Sequence, residues 1–164
     1  MARSHNVSLL NDPMAQKLLH SRIPARVAYV WHDGTPRVIA LWFHWDGNQL
    51  VFGTQPIAPK SQVIDDGTKV AVLIDTDEMP YEVLSIRGTA HVSYINGMVP
   101  EYDMAARRYL GEESGGAWIA QVNQMLGHPK MGGRMIRIAV TPEWVHIMDF
   151  NQRFPSAIEA VMAG

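Results

Sequence analysis

Seven histidines are the first residues of this 164-residue chain to invite a chemical reading. His5, His20, His32, His44, His91, His128 and His146 are never three or four positions apart, so no helix face carries two of them and no metal centre is expected. The chain has no cysteine, which removes thiolate ligands, thiol nucleophiles and disulfides together. Ser61, Ser85 and Ser93 lack a Gly-x-Ser-x-Gly setting, and neither Gly-x-x-x-x-Gly-Lys nor Gly-x-Gly-x-x-Gly occurs. Gly132-Gly133 precedes a strand pattern and reads as a turn.

One junction holds more promise, the run Phe52-Gly53-Thr54-Gln55-Pro56-Ile57-Ala58-Pro59-Lys60-Ser61. A strand that ends in hydroxyl and amide side chains and then opens a helix with a lysine gathers donors, a positive charge and free backbone N–H groups at one corner. That chemistry suits a phosphate. The competing reading is that Thr54 and Gln55 satisfy turn backbone while Lys60 is a solvated helix lysine.

The elements that must position this corner are mostly strands. Asp12 and Pro13 suit the cap and first position of a helix over 14–20. Strands are expected over 26–32, 37–45 and 49–54, joined by Asp33-Gly34-Thr35-Pro36 and Asp46-Gly47-Asn48 into a meander. In the second, Val38, Ala40 and Trp42 face one way and Ile39, Leu41 and Phe43 the other, so it should lie centrally in the sheet. A short helix over 60–66 stopped by Gly67 leads to a strand over 69–75. A long strand over 83–95 follows, with Leu84, Ile86, Ala90, Val92 and Tyr94 inward and a bulge at Gly88. Helical periodicity over 99–127 predicts two helices separated by Gly111 to Gly116. Strands over 135–140 and 144–149, split by Thr141-Pro142-Glu143, close the pattern. Six or seven strands in up-and-down order with inserted helices predict a mostly β protein, a small closed antiparallel barrel with short peripheral helices.

Composition narrows the function class. The net charge of -2 and scattered Lys and Arg offer no stripe for nucleic acid, and no segment has the apolar length of a membrane span. With no secretory leader pattern either, a cytoplasmic protein is expected. Charged residues make up 18%, below the ~25% of typical soluble domains, which points to surface covered by a subunit interface.

The hairpin order, the strand Arg37-Val38-Ile39-Ala40-Leu41-Trp42, the junction from Thr54 to Lys60 and the run Pro142-Glu143-Trp144-Val145-His146-Ile147-Met148-Asp149-Phe150 together resemble the pyridoxamine 5'-phosphate oxidase-like split β-barrel flavoproteins. The resemblance covers roughly 23–154, and it implies one domain over 1–164: a helical arm at 1–22, the barrel at 23–154 and a tail at 155–164. It also implies a homodimer holding flavin mononucleotide (FMN) at its interface, with the ring along Arg37, Val38, Ile39, Ala40, Leu41 and Trp42. The phosphate would fall to Thr54, Gln55, Lys60 and Ser61, and Trp144 and Arg153 would reach toward the partner's flavin. The family's strand lysine is Trp42 here, and its Ser-Arg pair before the junction lysine is Ala58-Pro59. These departures set the chain apart from the oxidase that makes pyridoxal phosphate.

The function so implied is an FMN-binding oxidoreductase that moves hydride between flavin and a small molecule, with no catalytic residue assigned. A sister branch of the fold binds an 8-hydroxy-5-deazaflavin coenzyme, for which Lys60, Lys69 and Arg87 would line a basic groove. A third possibility is a flavin or haem binding or storage protein without turnover.

Overall fold

Asp12 behaves as its sequence context predicts. Its carboxylate accepts the Met14 N–H at 2.9 Å, and Pro13 opens the helix α1, Pro13–Leu19, whose Met14, Ala15, Leu18 and Leu19 are buried. A single 3-10 turn, Val7–Asn11, precedes it. The computed structural model describes residues 6–150 and 153–164, so His5 lies outside the described residues.

Among the described residues seven antiparallel strands follow: β1 Ala25–Val30, β2 Pro36–Leu41, β3 His44–Trp45, β4 Leu50–Thr54, β5 Lys69–Asp75, β6 Val83–Asn96 and β7 Arg134–Met148. Helices α2, Pro100–Leu110, and α3, Glu112–Leu126, lie between β6 and β7, and α4, Ser156–Met162, ends the chain. The strand order is β2-β1-β5-β6-β7-β4-β3. Its two end strands, β2 and β3, are consecutive in the chain and separated only by Trp42 and Phe43, so the sheet curls until its ends meet. The result is a mostly β, antiparallel split barrel around a core that includes Leu18, Phe43, Leu50, Phe52, Ile74, Leu84 and Ile86. Among the described residues no helix is long and apolar enough to cross a membrane.

Several local expectations are corrected. The order is not up-and-down, because β4 pairs with β7 and β5 with β1, so the chain crosses over between β4 and β5. The strand expected over 37–45 breaks at Trp42-Phe43, and its first half sits at the end of the strand order rather than at the centre, with Val38 66% exposed. Apolar residues on both faces of β2 therefore mark a surface left for something else to cover. The helix expected over 60–66 is one 3-10 turn, Pro59–Gln62. Only Gly111 separates α2 from α3. Gly115 lies inside α3, where a Cβ would come within 2.7 Å of the Arg107 Cα, so it lets the two helices cross closely. The last two expected strands are one, β7. The register shift at Arg87/Gly88 pairs Gly88 with Pro142 and Arg87 with Trp144, leaving Glu143 as the bulged residue, next to the proline that interrupts the sequence pattern. Tyr94, expected inward, is 58% exposed on the part of β6 that runs on after its pairing with β5 ends at Thr89.

Helix α2 fastens the break between β2 and β3. Arg108 donates from Nη2 to the Phe43 carbonyl at 2.5 Å and from Nε to the Ser21 carbonyl at 3.0 Å, and Tyr109 Oη donates to the Ile23 carbonyl at 3.0 Å. Two hydrogen bonds from a guanidinium should make Arg108→Ala cost about 2 kcal/mol of stability. A denaturant titration in which the midpoint does not fall would contradict this latch.

Candidate functional site

The end of β2 and the end of β4 meet beneath α2. Leu50 to Thr54 pair with Val140 to Ile136 of β7, which fixes Gly53 beside Arg137 and Thr54 beside Ile136. Above Gly53 lies Tyr102. A Cβ on Gly53 would stand 2.8 Å from Tyr102 Cβ, so the glycine admits the aromatic ring against the strand. Tyr102 Oη accepts the Trp118 indole N–H at 2.9 Å. Trp42 packs into the same group, stacked on Tyr109 at 5.3 Å, tilted to Tyr102 at 6.2 Å and edge-on to Trp118 at 6.0 Å. Burial pushes the phenols of Tyr102 and Tyr109 above the usual tyrosine range, so they remain neutral donors.

Between these parts is an open cleft of about 240 Å³ lined by Ala40, Leu41, Trp42, Thr54, Gln55 and Lys60, with Gly53, Tyr102 and Trp118 completing it. Six sequence-predicted residues thus converge on one cavity. Two of them carry unused polar capacity. The Thr54 side-chain oxygen is buried and has no hydrogen-bond partner among the described residues, a state that ordinarily calls for a ligand or water. Lys60 is half-buried, and burial alone lowers its amine below the ordinary lysine range, with no carboxylate among the described residues offsetting the effect. The nearby cation of β7 is already committed: Arg137 donates from Nε and Nη2 to Glu101 at 3.0 and 2.7 Å. Burial pulls the Glu101 carboxyl upward, but its bonds from Arg137 outweigh this and hold it below the usual range. The cleft therefore offers an unneutralised ammonium, a free hydroxyl and an amide beside an aromatic wall, a donor set suited to an anionic group attached to a planar body.

The remaining predicted residues lie elsewhere. Ser61 turns inward and donates to the Gln55 carbonyl at 3.0 Å, shaping the corner rather than lining the cleft. The turn Pro59–Gln62 is too short for a helix N-terminal anion site, and its Ser61 N–H is taken by the Ala58 carbonyl. Arg37 stands 4.6 Å over the Trp31 ring, Val38 is exposed, and Ile39 packs against the core. Trp144 lies 4.1 Å beneath the Arg87 guanidinium, and Arg153 pairs with Asp12 at 3.0 Å. The three cations considered for one basic groove divide between two cavities. Lys69 and Arg87 share one with Glu143, which accepts from Lys69 at 2.9 Å, and Lys60 lines the other.

Residue spacing did not identify Tyr102 or Trp118 as parts of the site, and it placed Gly53 in the junction run without a role. Tyr102 and Tyr109 are seven apart on α2, a spacing that reads equally as a packing stripe.

No known family profile matches the chain, and no curated protein does. Solved structures do. An F420 reductase is 25% identical, with a TM-score of 0.53 over 80% of this chain and 94% of that one. A protein assigned as a pyridoxamine 5'-phosphate oxidase from Listeria innocua is 18% identical, with a TM-score of 0.53 over 84% and 97%. The fold is that of the pyridoxamine 5'-phosphate oxidase-like split barrels. An FAD and heme binding protein from Mycobacterium smegmatis, 14% identical with a TM-score of 0.57 over 93% and 78%, shares it. Within this split barrel the cleft occupies the end of β4 and the following turn, where the sequence resemblance placed a cofactor phosphate.

Proposed function

We propose that the chain is a cytoplasmic, homodimeric flavin-type oxidoreductase whose cleft holds the phosphate-bearing tail of FMN. The observation that carries this reading is the buried Thr54 hydroxyl, in the same cleft as the desolvated Lys60, neither with a partner among the described residues. Thr54 and Lys60 would hold the phosphate, Gln55 would add an amide donor, and the backbone and apolar surface of Val38 to Trp42 would receive the ring. A bound flavin supplies hydride transfer, and the protein supplies orientation and electrostatics. The neutral phenol of Tyr102, held by Trp118, keeps one hydroxyl proton to donate into the cleft. At about 240 Å³ the cleft falls below the ~300–1,000 Å³ of complete small-molecule pockets, so a second copy over the exposed face of β2 would be needed to enclose the ring. In that dimer Trp144 and Arg153 would serve the partner's site.

A second reading, a reductase that uses the 8-hydroxy-5-deazaflavin coenzyme, is favoured by the 25% identity with the F420 reductase and by Trp42, an aromatic surface where the family motif has lysine. Titration of the purified protein with FMN, the deazaflavin and haem, followed by visible absorbance, separates the readings. Saturable FMN uptake, followed by reduction of the bound flavin by a pyridine nucleotide, supports the first. Uptake of the deazaflavin alone selects the second. Uptake of haem alone, or of none, refutes both.

A further inference from the structure

A second cavity adjoins the cleft through Gln55, which lines both. It has a volume of about 580 Å³, within the range of small-molecule sites, and lies between the turn after β4 and the C-terminal end of α3. Its walls are apolar. Ile57 and Met125 are 60% and 45% exposed to it and to solvent, and Met131 forms a buried floor. Thioether side chains adapt to ligands of varied outline. Among the described residues no carboxylate lines it.

The polar groups at its edge are all suited to an anion. Lys130 contributes an ammonium with no ion-pair partner among the described residues. The His128 ring accepts the Lys130 backbone N–H at Nδ1, 3.2 Å away, which places the ring proton on Nε2 and leaves that nitrogen a donor. The helix end would normally oppose an anion, yet its last carbonyls are engaged. Gln124, Met125 and Leu126 accept from the backbone of Gly127, His128 and Gly133 at 3.2, 3.0 and 3.0 Å.

We infer that this cavity binds a small carboxylic acid with an apolar or aromatic body, the body against Met125, Met131 and Ile57 and the carboxylate at Lys130 and His128. Its position beside Gln55 makes such acids the substrate class of the neighbouring site, a step that rests on the flavin-type reading, whereas the binding does not.

The test uses the full chain labelled with ¹³C at methionine methyls and titrated with 4-phenylbutanoate and with the corresponding alcohol. The acid should shift the Met125 and Met131 methyls saturably, and the alcohol should bind about tenfold more weakly, as expected for loss of one charge-assisted hydrogen bond. Lys130→Met should weaken the acid about tenfold and leave FMN uptake unchanged. Equal affinity for acid and alcohol, an unchanged affinity in Lys130→Met, or shifts confined to other methionines would overturn the inference. So would shifts of the same two methyls with protein concentration alone, since a second copy would then fill the cavity. Acid binding in a protein that takes up no flavin would support the pocket and refute the proposed function. Flavin uptake without acid binding would do the reverse.

Discussion

Replacing Lys60 with Ala is expected to weaken FMN binding by about 10- to 100-fold, the equivalent of one charge-assisted phosphate contact. The basis is that Lys60 lines the cleft, is desolvated and has no neutralising carboxylate among the described residues, so a bound anion restores what burial takes from its charged form. Thr54→Val should act in parallel but with an unusual pairing of effects. Removing a buried hydroxyl that has no partner should leave the fold as stable or slightly more so, while binding falls. The sign of the pH dependence follows from the lowered amine. Affinity for the anionic tail should be full while Lys60 is protonated and decline as pH rises through its depressed folded value, earlier than an ordinary lysine would allow. Fluorescence titration of FMN with wild type and both variants measures all three. Unchanged affinity in Lys60→Ala would mean that the anion sits elsewhere.

Gly88→Ala should have the largest effect on stability. A Cβ there would lie 2.2 Å from the Thr141 carbonyl oxygen, part of the backbone of β7, so β6 and β7 must separate at the register shift that lets their long ladder bend. A loss of about 3 kcal/mol is expected, the upper part of the range for overpacking, and a melting temperature lower by roughly 10 °C. Gly116→Ala is the matched control. It lies inside α3, and its added methyl would meet only the end of the Arg107 side chain at 3.6 Å, so it should raise stability by about 0.5–1 kcal/mol. Calorimetry that gave the two variants similar melting temperatures would contradict the bent-ladder account.

What the sequence made legible was local. Asp12-Pro13 caps its helix, the Asp33 and Asp46 carboxylates accept the N–H groups of Thr35 and Asn48 in the two hairpin turns, and Gly88 marks the bend. Thr54, Gln55 and Lys60 sit within seven positions, so a single turn brings them to one cleft. Features that depend on distant packing were not legible. Tyr102 and Trp118 reach the cleft only because β6 runs on past the end of β5 and α2 folds back over β4, and their spacing is that of any helix face in a core. The alternation of Arg37 to Trp45 continues through Trp42-Phe43, and nothing in it signals that Arg108 will hold the break between two strands at opposite ends of the sheet. The apolar faces of β2 misled for a related reason: two-sided hydrophobicity marks a strand covered within the chain as readily as one covered by a partner or ligand.

Native mass spectrometry of the protein as purified, with the visible spectrum of the same sample, identifies directly what the cleft holds. The purified dimer should carry a phosphate-bearing flavin or deazaflavin at one per chain, lost in Lys60→Ala. A sample that carries haem, or that carries nothing and takes up no flavin when it is supplied, would contradict the flavin-type reading.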